Sequence, residues 1–535
     1  MESMLLASGT REEQSVLYFL FNLSSTSIKI FVGLVYIFNL IVGTGALTMP
    51  AAFSHAGWML SLVILIAIAF MSFLTVTFVV EAMAVANAMV HWRTVQHIKK
   101  VINEEEEQMH AINTSRQDLV KGLMRDEVIS NSIEHDEKVP LLLSNSMDSI
   151  TDTAAVEYYS ITERIELGKM ASLFFNKFGV NIFYLCIAVY LYGDLAIYAA
   201  AVSVSLRDVT CNYVPPGNAC NISYTDWDLC WTSVDYISRK DAYRIYLAVF
   251  LCLLGPFAFF NVQKTKYLQV ITSVMRWLAF GSMIILAAIA LVEGKSRGHP
   301  EVANLNGIPN LFGVCVYSFM CHHSLPSLIT PIRSKKNLTL FVLADFFLIL
   351  GFYSLLCFTG IFTFSHLKDM YTLNFQPEKC GSGNDRIIIA VPFLQYFLAL
   401  FPVFTLSTNF PIIAITLRNN LKALFLKDTR QYSFFLKGIF FPLVTILPPV
   451  AIALATEDLE ILVGITGSYA GAIIQYIVPA TLVYYARKDA LTALGLGVKN
   501  KHMSPFHHTA WIIFVLVWSA ACIIFVTVNH IITKK

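Results

Sequence analysis

Asn39-Leu40-Ile41-Val42-Gly43-Thr44-Gly45-Ala46-Leu47-Thr48-Met49-Pro50 lies inside an apolar run that extends from about residue 30 to residue 53. A run of about 20 apolar residues is long enough to cross a bilayer. Within this one, two glycines bracket a threonine, and a proline follows. Glycine weakens a helix interior and proline removes one of its hydrogen bonds. In hydrocarbon, backbone is left irregular only where protein buries it or where it lines a cavity. The stretch therefore reads as an unwound turn whose N–H groups face a carboxylate, aided by the positive end of the half-helix that follows. The competing reading is a glycine face on which a neighbouring helix packs.

The rest of the chain has the same character. It has 535 residues, 56% of them hydrophobic and 14% charged, with a net charge of +2. Soluble proteins carry roughly 25% charged residues, and soluble cores stop growing at about 250–300 residues. Soluble globular and disordered classes are thereby excluded, and a near-zero net charge gives no basic field for nucleic acid. Eleven runs qualify as spans: 30–53, 58–86, 179–206, 242–260, 268–292, 310–329, 338–364, 388–415, 435–455, 459–485 and 509–532. The predicted fold is an all-α polytopic membrane protein with eleven transmembrane helices in contact with membrane lipid. Residues 1–29 read as a cytosolic lead, 30–90 as helices 1 and 2, 91–165 as a disordered acidic cytosolic loop, and 166–535 as helices 3–11.

An odd number of spans puts the termini on opposite sides, and basic residues choose the side. The loops carrying Lys264, Lys266, Arg333, Lys335, Lys336, Arg418, Lys422, Arg487 and Lys488 are the richer set. The N-terminus is accordingly assigned to the cytosol and the C-terminus to the lumen or exterior. Cys211, Cys220, Cys230 and Cys380 all fall on the outer side, where oxidation favours disulfides; two of them are expected to pair, most plausibly within the first of these loops. The same loop holds the glycosylation sequon at Asn221. In the cytosolic loop Glu137, Leu141 and Leu142 fit an acidic dileucine sorting pattern, which implies a sorting adaptor and an endosomal or lysosomal membrane. Chance is the competing reading of so short a pattern.

A second interruption stands in span 6, at Tyr317-Ser318-Phe319-Met320-Cys321-His322-His323-Ser324-Leu325-Pro326. Adjacent histidines deep in an apolar run are costly unless they face a cavity or a partner. Interrupted helices at matching positions of two halves point to a transporter's central site. A metal at Cys321, His322 and His323 is the weaker reading, because adjacent residues on a helix diverge by about 100°, and no metal or other cofactor is assigned. Span 3 carries Asp194 at mid-membrane, either as a proton carrier, since a proton removes a costly charge, or as a structural acceptor. His322 titrates near physiological pH when unperturbed and is expected to face the same cavity. Span 8 offers Thr405, Ser407, Thr408 and Asn409 before Pro411, oxygens that suit Na⁺ but that also back-bond in ordinary helices. Gly464, Gly467 and Gly471 make a hinge or packing face in span 10. Glu81, near the end of span 2, reads as an interface residue. No paired catalytic carboxylates or nucleophile motif points to an enzyme.

Asn39-x3-Gly43-Thr44-Gly45-x-Leu47-x2-Pro50, Gly193-Asp194, Phe319-x-Cys321-His322-His323-x2-Pro326 and Gly464-x2-Gly467 with Pro479 resemble helices 1, 3, 6 and 10 of the amino acid/auxin permease superfamily. The closest likeness is to an orphan branch of it. The resemblance implies a LeuT-type five-plus-five inverted repeat plus one helix. It implies that Gly43, Thr44 and Gly45 bind a substrate carboxylate and that carbonyls around Ser318, Phe319 and Cys321 bind its amine. It also implies, in sodium-coupled members, a cation at Asn39, Val42, Ser407 and Thr408. The expected function is secondary active transport of a small-molecule amino acid or related zwitterion, with H⁺ or Na⁺ as the coupled ion. Asp194 and His322 are the candidates for H⁺ coupling, and Ser407 and Thr408 for Na⁺. The alternative is a transporter-derived sensor that signals through the cytosolic loop.

Overall fold

A computed structural model describes residues 38, 41–123, 159–213, 224–260, 266–332, 335–376, 391–426, 432–495 and 500–533. Asn39, Asn221, Cys220, Cys380, Glu137, Leu141 and Leu142 lie outside them.

The helices are α1 (Gly45–Ala56), α2 (Trp58–Leu123), α3 (Leu167–Phe174), α4 (Lys177–Thr210), α5 (Arg239–Leu254), α6 (Lys266–Val292), α7 (Ile308–Ser318), α8 (Leu325–Ile329), α9 (Leu338–Thr363), α10 (Pro392–Phe425), α11 (Phe441–Ala455), α12 (Leu459–Thr466), α13 (Val478–Leu494) and α14 (Thr509–Thr533). Two π-helical turns, Gly467–Gly471 and Ile473–Ile477, join α12 to α13 in one spanning unit. Among the described residues, nine helices are long and apolar enough to cross a membrane. Spans 1 and 6 are not among them: the described helix of span 1 is α1, of 12 residues, and span 6 is interrupted at residues 319–321.

α4 is the axle of the bundle and packs against α5, α10, α11 and α12. Its stretch Leu195–Val202 is buried throughout, and Ala196 and Ala199-Ala200-Ala201 let neighbouring backbones come close. α7 meets span 10 the same way: a Cβ added at Gly313 would overlap the Gly464 carbonyl of α12, and one added at Gly467, in the π-helical turn that follows, would overlap the Gly313 carbonyl of α7. The span 10 glycines are thus a packing face against span 6.

The two ends of the bundle are locked differently. At one end a β-hairpin, β1 (Leu229–Trp231) with β2 (Val234–Ser238), follows α4, and a disulfide joins Cys211 to Cys230, within the one loop expected to hold a bridge. At the other end Arg487 grips Glu81 with two hydrogen bonds, Nε to Oε1 at 2.8 Å and an Nη to Oε2 at 2.7 Å. The Ser504 N–H also donates to this carboxylate at 3.0 Å. Glu81 is 3% exposed, so it is a buried clasp between α2 and α13 rather than the interface residue its position near a span end suggested. A buried carboxylate needs such partners.

One stretch departs from the expected organisation. α2 continues 66 residues to Leu123, so the first part of the segment read as disordered is helical. Lys100 and Glu104, one turn apart, pair at 3.6 Å, the i,i+4 arrangement that supports exposed helices. Polar composition was mistaken there for absence of helix.

Candidate substrate site at the interrupted helices

In span 1 the chain is irregular across residues 42–44, and α1 begins at Gly45. Tight bonds close the turn: the Ala46 N–H donates to the Gly43 carbonyl at 3.2 Å and the Leu47 N–H to the Thr44 carbonyl at 3.0 Å. The first N–H groups of a helix have no intrahelical acceptor, and at the start of α1 those of Ala46 and Leu47 are already used within the turn, so a ligand would meet the donors that precede them. In span 6, α7 ends at Ser318, residues 319–321 are not helical, and a single 3₁₀ turn, His322–Ser324, leads into α8. Pro326 sits in the first turn of α8, where its missing N–H costs nothing.

The two breaks touch. A Cβ on Gly45 would stand 2.8 Å from the Ser318 Cα, so glycine is what allows this approach. The Tyr353 hydroxyl of α9 lies 3.0 Å from the Ile41 carbonyl and 3.0 Å from the Ser318 carbonyl. These are backbone groups beside the two interruptions, and one fully buried phenol serves both. Leaving a buried carbonyl unpaired costs about 1–3 kcal/mol. Tyr353→Phe should therefore lower stability by about that amount and raise the KM for substrate, with kcat less affected. Thermal unfolding together with uptake kinetics measures both effects.

A small cavity opens on the other side of the span 1 break. Gly43, Thr44 and Leu47 form one wall, Tyr198 of α4 and Arg276 of α6 another, and Thr405, Leu406 and Asn409 of α10 the third. It is too small for an amino acid. Ser318, Phe319 and Cys321 are buried by packing and do not line it. On α10 the cavity takes Thr405 and Asn409, one turn apart, rather than Ser407 or Thr408; the Thr408 hydroxyl donates to the Thr405 carbonyl of its own helix at 2.8 Å.

Asp194 is buried and accepts the Tyr317 hydroxyl, which ties α4 to the last turn of α7. His322 is fully buried, its Nε2 2.8 Å from the Thr75 Oγ1 of α2. The two lie on different sides of the span 6 break and neither lines the cavity, so the shared cavity expected of them is not formed here. The Tyr192 hydroxyl donates to the Val444 carbonyl of α11 at 2.8 Å.

The chain matches the family described as Transmembrane amino acid transporter protein over residues 26–97 and 145–528. The chain belongs to that family. It is 54% identical to human Transmembrane protein 104 over 510 residues, 94% of this chain and 97% of that protein. It is 46% identical to the Transmembrane protein 104 homolog of Drosophila melanogaster over 509 residues, 93% and 96% of the two chains. The homolog of Dictyostelium discoideum is 34% identical over 520 residues, 94% and 97%. These names state no substrate, in keeping with the likeness to an orphan branch.

In this transporter-family chain the sequence reading missed Arg276, Tyr353 and Asp345. Arg276 and Asp345 are charged residues inside spans 5 and 7, and the rule that singles out Asp194 singles them out too. Tyr353 carries no such signal, being one aromatic in an apolar run. A further cluster was missed where spans 1, 6 and 10 meet at the disulfide end. His55, beyond the end of span 1, places Nδ1 3.1 Å from Glu460 Oε1, and Glu460 also accepts from Asn310. The hydrogen bond to Glu460 raises the His55 pKa above its ordinary 6.5, against the opposing effect of burial. A raised histidine value means the contact stabilises the fold fully at acid pH and is lost as pH rises through that value. The ring is 60% exposed, so the effect is under about 1 kcal/mol. His55→Gln should lower the melting temperature at acid pH and leave it unchanged well above neutrality; equal losses at both would contradict the pairing.

Proposed function

We propose that this chain is a secondary active transporter of amino acids or related small zwitterions, coupled to H⁺ and working by alternating access. The observation that carries the reading is the meeting of the two interrupted helices under one tyrosine hydroxyl, in a member of an amino acid transporter family. Gly43, Thr44 and Gly45 would take the substrate carboxylate, and the carbonyls of Ser318, Phe319 and Cys321 its amine. Substrate is larger than the present cavity, so binding requires the breaks to part. The supporting scaffold in this reading is eleven spans in a five-plus-five inverted repeat with one added helix, in which helices 1, 2, 6 and 7 rock against the rest.

Protons are preferred to sodium on electrostatic grounds. The oxygens that would hold Na⁺ beside the span 1 break, Thr405 and Asn409, line the same cavity as the cationic residue Arg276. A fixed positive charge opposes a second cation in a low-dielectric site. Asp194 and His322, which flank the span 6 break, are the coupling candidates. In this reading the end bearing the Cys211–Cys230 bridge faces the lumen or exterior, Asn221 carries a glycan there, and the N-terminus is cytosolic. Glu137, Leu141 and Leu142 direct the protein to endosomal or lysosomal membranes.

Counterflow exchange tests the transport step without any coupling assumption. Proteoliposomes loaded with a mixture of unlabelled amino acids should take up labelled ones from outside. Folded protein that exchanges none of the proteinogenic amino acids would refute the reading.

A further inference from the structure

α9 carries a second buried acid, Asp345, at 1% exposure, and neither of its carboxylate oxygens has a hydrogen-bond partner among the described residues. It differs in this from Asp194, which accepts the Tyr317 hydroxyl. Asp345, Ile349 and Tyr353 are spaced four apart and so follow one stripe of α9; all three are buried. The stripe faces the breaks. Tyr353 bonds the carbonyls of Ile41 and Ser318, and Phe346, next to Asp345, stacks on Phe319 of the span 6 break with ring centres 6.0 Å apart. Asp345 lies two turns from Tyr353, about 12 Å at 1.5 Å per residue, toward the end of the bundle that holds the Glu81–Arg487 clasp.

The charges around it are otherwise engaged. Glu81 of α2 is bound to Arg487. Arg276 of α6 lies against the cavity that Gly43 and Tyr198 line. His55, at the far end of α1, is held by Glu460. In the span 6 break His322 Nε2 bonds Thr75, while His322 Nδ1 and His323 Nδ1 are buried without a hydrogen-bond partner among the described residues. An ionised carboxylate with two unpaired oxygens in apolar packing is too costly to persist, so in this closed conformation Asp345 is a neutral acid. When the breaks part, Phe319 leaves Phe346 and the acid meets water.

The geometry points to Asp345 as a second carrier, in series with Asp194, of the coupled proton of this transporter: it takes the proton from water while the breaks are open to one side, holds it while the span 6 break is closed over it, and releases it when that break opens to the other side. No bond other than O–H is made or broken: the proton comes from water on one side and returns to water on the other. The inference rests on the transport reading above and deepens it by naming the group whose charge changes with the conformational cycle.

The test uses the full chain in proteoliposomes and a mixture of labelled proteinogenic amino acids. Asp345→Asn keeps shape and neutrality, so counterflow exchange should stay within about threefold of wild type while accumulation driven by an imposed pH gradient falls at least fivefold. Asp345→Glu should restore gradient-driven accumulation. Wild type that fails to exchange refutes the transport reading and the inference with it. Wild type that exchanges, beside an Asp345→Asn variant that still accumulates normally or loses exchange and accumulation together, overturns the inference alone. Infrared spectroscopy covers the case in which the asparagine variant does not fold. Wild type at neutral pH should show the C=O stretch of a protonated carboxyl, and Asp345→Glu should shift it; a spectrum with every carboxyl ionised overturns the assignment.

Discussion

Gly45→Ala should lower amino acid uptake by about 100-fold, the scale on which a shift of about 1 Å at a binding site acts. The added methyl would stand 2.8 Å from the Ser318 Cα and overlap the Ser318 hydroxyl, so α1 and α7 must move apart. That shift breaks the registration of the two unwound segments, which Tyr353 otherwise holds by its two carbonyl contacts. Gly45→Leu would damage packing as well as binding, because Gly45 is buried against span 6. Alanine keeps the perturbation to one methyl group, and overpacking of that size costs about 1–3 kcal/mol. Uptake per correctly folded molecule is the quantity to measure. Unchanged uptake would remove the span 1 break from the substrate site.

Asp194→Asn should abolish dependence on a pH gradient while exchange persists within about threefold. An ionised acid at mid-membrane costs about 2.5–3.5 kcal/mol on insertion scales, and an asparagine does not. The amide oxygen still accepts the Tyr317 hydroxyl that holds α4 to α7, so the fold is retained. A gradient of one pH unit is worth about 1.4 kcal/mol per proton, or tenfold accumulation for one coupled proton. Wild type should reach that ratio and the variant should equilibrate without accumulating. If Na⁺ were the coupled ion, the substitution would leave exchange and accumulation both close to wild type. Both threonine hydroxyls donate to carbonyls of their own helix, but Thr405 lines the cavity and Thr408 does not, so Thr405→Val would then lower apparent Na⁺ affinity more than Thr408→Val.

What the sequence made legible was local. Gly43, Gly45 and Pro50 in span 1, and the histidine pair before Pro326 in span 6, violate helix rules within a few residues of one another, and the chain is indeed irregular at both places. The pairing of Cys211 with Cys230 was bounded by having three cysteines in one loop. What was hidden depends on contacts across the chain. Arg487 neutralises Glu81 from 406 residues away, so no local pattern distinguishes a clasp from an interface residue. Tyr353 contributes through the carbonyls its hydroxyl reaches, which sequence does not encode visibly. On α10 the choice of Thr405 and Asn409 over Ser407 and Thr408 is a matter of helical phase, fixed by how the whole helix packs. Arg276 and Asp345 stand apart from these, since each is a charge inside an apolar span and was readable by the rule applied to Asp194.

The central claim is that this member of the amino acid transporter family moves amino acids by coupling them to an ion gradient. The most direct measurement is uptake of pooled labelled amino acids into proteoliposomes, with H⁺ and Na⁺ gradients imposed separately and together. The account predicts accumulation above equilibrium with the H⁺ gradient alone and none with Na⁺ alone. Accumulation that ignores the pH gradient and follows Na⁺ would contradict proton coupling, and correctly folded protein that accumulates nothing under either gradient would contradict the claim itself.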